Sequence, residues 1–305
     1  VVESWLNGQT PPHSRGRVFA VYMITTLLAL AGGQFLLLVY DPASLAPFAL
    51  ATVLIILAII PIAVNRITEP NIDAHEHLPL RRLFRLSPFG VAGVLCAGVV
   101  NGAFWGMTAV FGARLDMTAG EIAMLMSATI LGGALLQLPI GHLSDRHDRR
   151  KVLLLVSFCA AVMACLAGYV VIKALPGLMP VAFLYGGLMF AVYAISVAHT
   201  NDHLTASQVL GATRGLLLLY GAGALAGPLA GGLLMEWMGP VGLPLISAAM
   251  LFLLVAYGLF RMARRAPLPL EEQAEFVPLA RTSPIVLEMH PQADREPELD
   301  FTEPK

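Results

Sequence analysis

The sequence predicts an all-α membrane protein, a polytopic helical bundle that crosses a lipid bilayer about eight times. Two observations support this prediction. Apolar residues make up 57% of the chain and charged residues 13%, whereas a soluble domain carries about 25% charged residues. The charges are also clustered, and they leave uncharged stretches of about 20 residues, which is the length that spans the hydrocarbon. Water is therefore not the main solvent of this chain.

Eight apolar runs between polar breaks define the predicted spans, because a chain in lipid must pair its backbone groups inside helices. None of the 19 lysine and arginine residues falls inside a span. A basic residue at the centre of a span costs about 2.5–3.5 kcal/mol on insertion scales, so this absence supports the placement. The spans are Val18–Tyr40, Pro47–Val64, Phe89–Ala113, Ala119–Gly141, Val152–Ile172, Leu178–Ala198, Leu216–Trp237 and Val241–Phe260.

The basic residues also predict the orientation of the chain. All of them except Arg114 and Lys173 fall on one side of the predicted topology. Insertion leaves lysine and arginine preferentially on the cytoplasmic side. We therefore expect the C-terminus to lie in the cytoplasm.

An internal repeat indicates a larger architecture. Arg15-Gly16 precedes the pair Gly32-Gly33 at the same offset at which Arg214-Gly215 precedes Gly231-Gly232. Parallel copies of this kind are typical of transporters built from repeated bundles. The copies fall on the first and the seventh span, so the repeating unit is six helices. We therefore expect helices 5–12 of a twelve-helix fold, with the first three to four helices absent ahead of this chain.

This arrangement predicts four regions. Residues 1–64 form a partial N-terminal bundle with the end of helix 4 and helices 5 and 6. Residues 65–88 form a cytoplasmic central loop, in which three arginines alternate with Leu80, Leu83 and Phe84 as in an interfacial helix. Residues 89–263 form a complete six-helix C-terminal bundle. Residues 264–305 form an acidic, proline-rich cytoplasmic tail that we expect to be disordered.

The most specific motif lies between the fourth and fifth spans. It runs from Gly141 to Lys151 and reads Gly-His-Leu-Ser-Asp-Arg-His-Asp-Arg-Arg-Lys. The motif resembles the signature G-x-x-x-D-R-x-G-R-R of the major facilitator superfamily (MFS), with Asp148 in place of the second glycine. Segments 3–7 and 15–23 further resemble the YcaD-like branch of that superfamily. The resemblance covers residues 1–265 and implies a transporter of the bacterial inner membrane.

The resemblance implies a gate at this loop. Asp145 at a helix end can accept charge-assisted hydrogen bonds from the N-terminus of a neighbouring helix. In the superfamily the loop bears on the penultimate helix of the same half, and the contact breaks when the cytoplasmic side opens. Selection for positive charge inside the cell would explain the basic residues alone, but not Asp145 or the ordered spacing. The predicted gating residues are Gly141, Asp145, Arg146, Arg149, Arg150 and Arg214.

Polar and aromatic residues inside the spans are candidates for a substrate cavity, because intramembrane polar groups usually face protein or water. Structural packing is the alternative for each of them. Glu3 and His199 are the ionisable groups nearest a span interior, which makes them the candidates for proton coupling, with snorkelling as the alternative. The cavity candidates are Asn101, Trp105, Gln137, Tyr185, Tyr193, Tyr220 and Gln34.

Small residues form a smooth stripe on the seventh span that would allow a neighbouring helix to approach closely. Close packing is the simpler interpretation, and a bending surface like the Gly-Pro motif of facilitator antiporters is the functional one. The three cysteines lie inside apolar runs, and we expect no metal or cofactor. The stripe consists of Gly223, Gly227, Pro228, Gly231 and Gly232.

The leading functional prediction is a secondary transporter that moves a small solute by alternating access, with a proton or another ion as the candidate coupling ion. The alternative is a non-transporting scaffold or sensor that uses its acidic tail. We expect no enzyme, because the spans offer no clustered His, Asp or Glu, and no channel, because no filter or charged ring is present. A net charge of −1 gives no reason to expect nucleic acid as a partner.

Overall fold

The structure is a computed structural model that describes residues 15–39, 44–64, 79–174, 176–204 and 206–264. Several predictions concern residues outside these ranges. They are the end of helix 4, the coupling candidate Glu3, most of the central loop and the acidic tail.

The described ranges are helical, and no strand occurs in them. The predicted all-α fold class is confirmed. A 3₁₀ turn, Phe35–Leu38, continues α1, and a second, Gly239–Val241, joins α8 to α9. The helices are α1 (Arg15–Gln34), α2 (Ala46–Val64), α3 (Leu80–Leu86), α4 (Pro88–Ala113), α5 (Ala119–Arg146), α6 (Arg149–Ile172), α7 (Leu178–Asn201), α8 (Ala206–Met238) and α9 (Gly242–Met262).

Five apolar helical segments in the described residues are long enough to cross a membrane, and six of the eight predicted spans lie in them. Helix α2 contributes a shorter apolar stretch, Ala46–Pro61. Helix α8 begins at Ala206, well before the predicted start at Leu216, because a helix can continue through polar residues once it has left the hydrocarbon. The five segments are Pro88–Ala113, Ala119–Arg146, Arg149–Ile172, Leu178–Asn201 and Gly211–Met262, the last of which includes most of α8 and all of α9.

Local signals set the helix boundaries. Helix α5 begins with a capping box, in which the Thr118 hydroxyl accepts from the Glu121 nitrogen over 3.3 Å and the Glu121 carboxylate accepts from the Thr118 nitrogen over 2.8 Å. Pro88 stands in the first turn of α4, where its missing N–H is not needed. After α8, Gly239 adopts a φ of +70°, which favours glycine.

The core of the bundle is centred on α4, whose side chains are buried along most of its first four turns. Helix α4 runs antiparallel to α7 and α9, and parallel to α8. The Cys96 thiol donates to the Met250 carbonyl of α9 over 3.3 Å. The starts of α4, α6 and α8 and the ends of α5, α7 and α9 therefore meet at one end. We call it the basic end, because it carries Arg82, Arg149 and Arg214; Arg114 and Lys173 lie at the opposite end.

Helices α4 and α8 touch along their backbones, and we call this contact the glycine seam. A Cβ atom added to Gly102 of α4 would lie 2.6 Å from the Ala224 Cα atom, and one added to Gly227 of α8 would lie 2.6 Å from the Ala103 nitrogen. Both distances are far below van der Waals contact, so neither position has room for a Cβ atom. Close packing of this kind drives helix association in lipid. The seam is formed by Gly98, Gly102 and Gly106 of α4 with Gly223, Gly227 and Pro228 of α8.

Helix α1 packs on α5 through small side chains. The Ser127 hydroxyl of α5 donates to the Ala31 carbonyl of α1 over 2.9 Å, and both residues are buried. By contrast, most of the described side chains of α2 are exposed and apolar. The contact between Ala31 and Ser127 therefore links α1 to the bundle of α4–α9.

We predict that Gly227→Ala destabilises the protein by about 1–3 kcal/mol, the usual cost of overpacking. The matched control is Gly221→Ala on the same helix, where an added Cβ meets nothing within 4 Å. That variant should be neutral or gain up to about 1 kcal/mol, because alanine favours the helix. Thermal unfolding of both variants in detergent measures the difference. Equal stability of the two would contradict the glycine seam.

Candidate gate and substrate cavity

The loop that carries the signature motif is only two residues long. Helix α5 ends at Arg146, His147 and Asp148 form the link, and α6 begins at Arg149. The Asp148 carboxylate caps α6, because it accepts from the Arg150 backbone nitrogen over 3.0 Å. The Asp148 backbone has a φ of −54°, which any residue can adopt. The position therefore accommodates an aspartate where the signature has a glycine.

The guanidinium of Arg150 also binds Asp148 in a bidentate manner. Its Nε donates to Oδ1 over 3.1 Å and its Nη2 donates to Oδ2 over 2.9 Å. Burial alone would raise the pKa of this carboxyl, but the hydrogen bonds from the side chain and the backbone of Arg150 outweigh it and hold the pKa of Asp148 below its ordinary value. The ion pair between Arg150 and Asp148 holds the first turn of α6 to its capping residue, Asp148.

Arg149 is the centre of the charged network at the basic end. Its side chain is only 1% exposed, and its Nη1 donates to the Ala198 carbonyl of α7 over 3.3 Å. Its Nη2 pairs with the Asp145 carboxylate over 3.0 Å, and its Nη1 pairs with the carboxylate of Asp202 just beyond α7. Because Asp202 is itself 2% exposed, the network is a buried ion pair with a second, more accessible carboxylate. It joins the ends of α5, α6 and α7.

Asp202 is the functional candidate that the sequence analysis missed. It is the only acidic residue between Asp148 and Glu236. A lone acid at the end of a span, on the same side as an arginine-rich loop, is the signal that could have identified it.

The other predicted gating residues lie apart from this network. Gly141 is buried inside α5, and Arg146 and Arg214 are exposed. Among the described residues Arg214 forms no ion pair. The structure thus connects the motif to the end of α7 rather than to Arg214 at the start of the penultimate helix, because Asp202 supplies the buried counter-charge.

Aromatic side chains from three helices meet inside the bundle. The rings of Tyr193 on α7 and Tyr220 on α8 lie 4.9 Å apart in an edge contact. Phe190, one turn before Tyr193, faces Trp105 of α4 with ring centroids 6.5 Å apart. Phe190 was not among the sequence candidates, since an apolar residue in a span carries no signal of its own. We call Trp105, Phe190, Tyr193 and Tyr220 the aromatic cluster.

The remaining cavity candidates are dispersed. Asn101 and Gln137 are buried, and within the described residues the Asn101 Oδ1 atom has no hydrogen-bond partner. Gln34 is half-buried near the end of α1 and donates to the Leu30 carbonyl of its own helix over 3.4 Å. Tyr185 lines a different space, a cavity of about 70 Å³ between α4, α5, α6, α7 and α9.

The coupling candidate His199 is buried in the last turn of α7. Its ring contacts Phe89 on one side, with centroids 6.0 Å apart, and His203 on the other, with centroids 4.9 Å apart. His203 is only partly buried. In the described ranges no group of three or more His, Cys, Asp or Glu residues could hold a metal.

Comparison with known proteins gives consistent matches. A model of the major facilitator superfamily matches residues 90–290. An uncharacterized MFS-type transporter of Enterobacter sp. strain 638 is 28% identical over 275 residues, which cover 88% of this chain and 69% of the relative. The uncharacterized MFS-type transporter YcaD of Salmonella arizonae is 27% identical over 271 residues, which again cover 88% of this chain and 69% of the relative. The uncharacterized MFS-type transporter YcaD of Salmonella paratyphi B is 26% identical over 238 residues, which cover 77% of this chain and 61% of the relative. No solved structure matches.

Apolar helices that cross the bilayer several times, with a charged loop at one end and polar groups inside, define a multi-pass membrane protein of the transporter class. The chain belongs to the major facilitator superfamily. The predicted resemblance to that family and to its YcaD-like members is confirmed.

We predict that Arg149→Gln lowers the free energy of unfolding by about 3–5 kcal/mol, since it leaves the buried Asp202 carboxylate without its counter-charge. Arg146→Gln, at an exposed arginine three residues away, is the control and should be nearly neutral. Adding Asp202→Asn to Arg149→Gln should restore part of the loss. Denaturant unfolding in detergent tests this cycle, and an Arg149→Gln protein as stable as Arg146→Gln would contradict it.

We predict that Asp148→Ala destabilises the protein by about 1 kcal/mol near neutral pH, the typical value for a lost helix cap. The folded pKa of Asp148 lies below the unfolded value, which is about 4. The stabilisation by the charged carboxylate is therefore present above that unfolded pKa and is lost as the pH falls through the folded pKa. Thermal unfolding at neutral pH and at about pH 3 measures the change.

Asp148→Asn is the control for this experiment, because asparagine also caps helices but carries no charge. It should retain most of the stability and show less dependence on pH. A constant difference between the wild type and Asp148→Ala at both pH values would exclude the charged cap.

Proposed function

We propose that the protein is a secondary transporter that moves a small solute across the membrane by alternating access. The family supports a transporter, and the internal repeat supports two bundles that rock about a central site. In this proposal α1 and α2 belong to one bundle and α4–α9 form the other. The basic end faces the cytoplasm, together with the C-terminus, because nearly all basic residues lie there.

The buried charge network at the basic end carries the proposal of a gate. Burying Arg149 requires compensation, and Asp145, Asp202 and the Ala198 carbonyl provide it. In the proposed mechanism the network braces the ends of α5, α6 and α7, and the braced helices close the cytoplasmic side. Arg146, Arg150 and Arg214 provide the surrounding positive charge.

The aromatic cluster, together with Asn101 and Gln137, is the proposed substrate contact. Asn101 lies one turn before Trp105 on α4, and its buried Oδ1 atom has no hydrogen-bond partner in the described residues; an aromatic cluster with such an acceptor suits a small solute with an apolar body and a hydrogen-bond donor. The Asn101 amide lies near the middle of α4, the depth at which transporters of this architecture bind substrate.

His199 is the proposed coupling group. Its ring contacts that of His203, which is only partly buried. Two neighbouring imidazoles can pass a proton from the basic end toward the interior of the bundle. The pair thus supports a proton as the coupling ion.

The transport test uses the contact between α1 and α5. We predict that a cysteine pair at Ala31 and Ser127, introduced after Cys96, Cys159 and Cys165 are replaced, forms a disulfide under oxidation. The disulfide should abolish flux, because it holds the two proposed bundles together. Uptake of radiolabelled sugars, amino acids and organic cations into proteoliposomes measures transport by a full-length version that includes the expected preceding helices, and a reducing agent should restore it.

Two controls separate the possible failures. A disulfide that forms but leaves flux unchanged would contradict rocking at this contact, whereas no flux across the panel would count against transport itself.

For coupling, His199→Gln should lose the response to an imposed pH gradient while keeping exchange of the solute without a gradient. A full response in that variant would exclude His199 as the coupling group.

A further inference from the structure

Helix α3 is a short amphipathic helix whose rotation is fixed by Leu80 and Leu83, which both lie against Gly215 of α8. Leu83 is fully buried and lies against Gly215 of α8, where an added Cβ would be 3.2 Å from the Leu83 Cδ2 atom. With 3.6 residues per turn, Arg81, Arg82 and Arg85 fall within an arc of about 100°, centred on the side away from Leu83. All three arginines are exposed.

The contact with Gly215 also sets the depth of α3. Helix α8 continues from Gly215 to Met238, which at a rise of 1.5 Å per residue is about 35 Å. The hydrocarbon core of a bilayer is about 30 Å thick. Helix α3 therefore lies where hydrocarbon gives way to headgroups. Leu80 and Phe84, beside the arginines, are 42% and 51% exposed, as expected of side chains that enter this boundary.

The positive charge of this surface has no counterpart in the described protein. Within those ranges Arg81, Arg82, Arg85 and the nearby Arg214 form no ion pair. The neighbouring acids at the basic end bind other arginines, as described above. Arginines one turn apart on a helix repel each other, so an anion from outside the described residues would stabilise the surface.

We propose that α3, with Arg214 at the start of α8, forms a docking surface for the phosphate headgroups of anionic phospholipids. The guanidinium fork matches phosphate oxygens, and polybasic segments beside membrane spans attract anionic lipids. Leu80 and Phe84 provide contacts for the acyl chains that a free phosphate ion could not use. The surface shares only Arg214 with the positive charge around the proposed gate network, and the lipid proposal does not rest on the transport mechanism.

The test is lipid binding by the purified full chain, measured by native mass spectrometry with phosphatidylglycerol and with phosphatidylcholine. The variant Arg81→Gln/Arg82→Gln/Arg85→Gln should bind phosphatidylglycerol at least about tenfold more weakly, since each basic residue near the surface contributes to attraction. Its binding of phosphatidylcholine and its thermal unfolding in neutral detergent should match the wild type.

Two further variants show whether the position of the arginines or the total positive charge determines the binding of phosphatidylglycerol. Arg81→Lys/Arg82→Lys/Arg85→Lys keeps the charge and should retain most of the binding. Lys151→Gln/Arg261→Gln/Arg264→Gln removes the same charge elsewhere at the basic end and should leave binding of phosphatidylglycerol unchanged. An equal loss in this control would overturn the proposal in favour of a diffuse electrostatic effect. Displacement of the lipid by equimolar inorganic phosphate would overturn it in favour of a free-anion site.

Discussion

The absence of water in the bilayer interior is the constraint on which the rest of this structure depends. Backbone groups that no water can reach must pair with each other, and long helices achieve this within one segment. The same solution extends to side chains. The hydroxyls of Thr108, Thr129 and Ser247 each donate to a carbonyl four residues earlier in their own helix, over 2.5, 2.8 and 3.2 Å. These hydroxyls are thus satisfied within their own helices.

Helix association then needs another source of energy, because lipid tails are as apolar as the helices. The glycine seam between α4 and α8 provides it through close backbone contact. Helices α5 and α7 do the same, since a Cβ atom added to Gly186 of α7 would lie 2.7 Å from the Thr129 carbonyl carbon of α5. Glycine costs backbone entropy in a helix, and here tight packing offsets that cost.

The spans could be predicted from the sequence because the absence of water in the bilayer acts on each segment separately. A run of apolar residues is therefore sufficient to predict a span. Features that belong to pairs of segments were harder to predict. The stripe around Gly227 was visible, but nothing in the sequence indicated that Gly102 would face it. Arg149 was visible in the motif, but its buried partner Asp202 lies 53 residues away. Phe190 had no signal, because an aromatic residue in a span is equally suited to lipid and to a cavity.

The location of the tight contacts bears on how such a protein could move. Helices α4–α9 pack around two buried apolar clusters and touch through glycines, and packed interiors of this kind resist continuous deformation. The buried Arg149 ion pair ties three of these helices together at the basic end, and it lies wholly within this group. In the proposed mechanism it is an internal brace, and the six helices move as one body. The contact of α1 with α5 involves smaller surfaces and the hydrogen bond between Ser127 and Ala31, so sliding there breaks less packing. Under alternating access, the motion is expected at that contact, and the signature motif contributes stiffness to the body that moves.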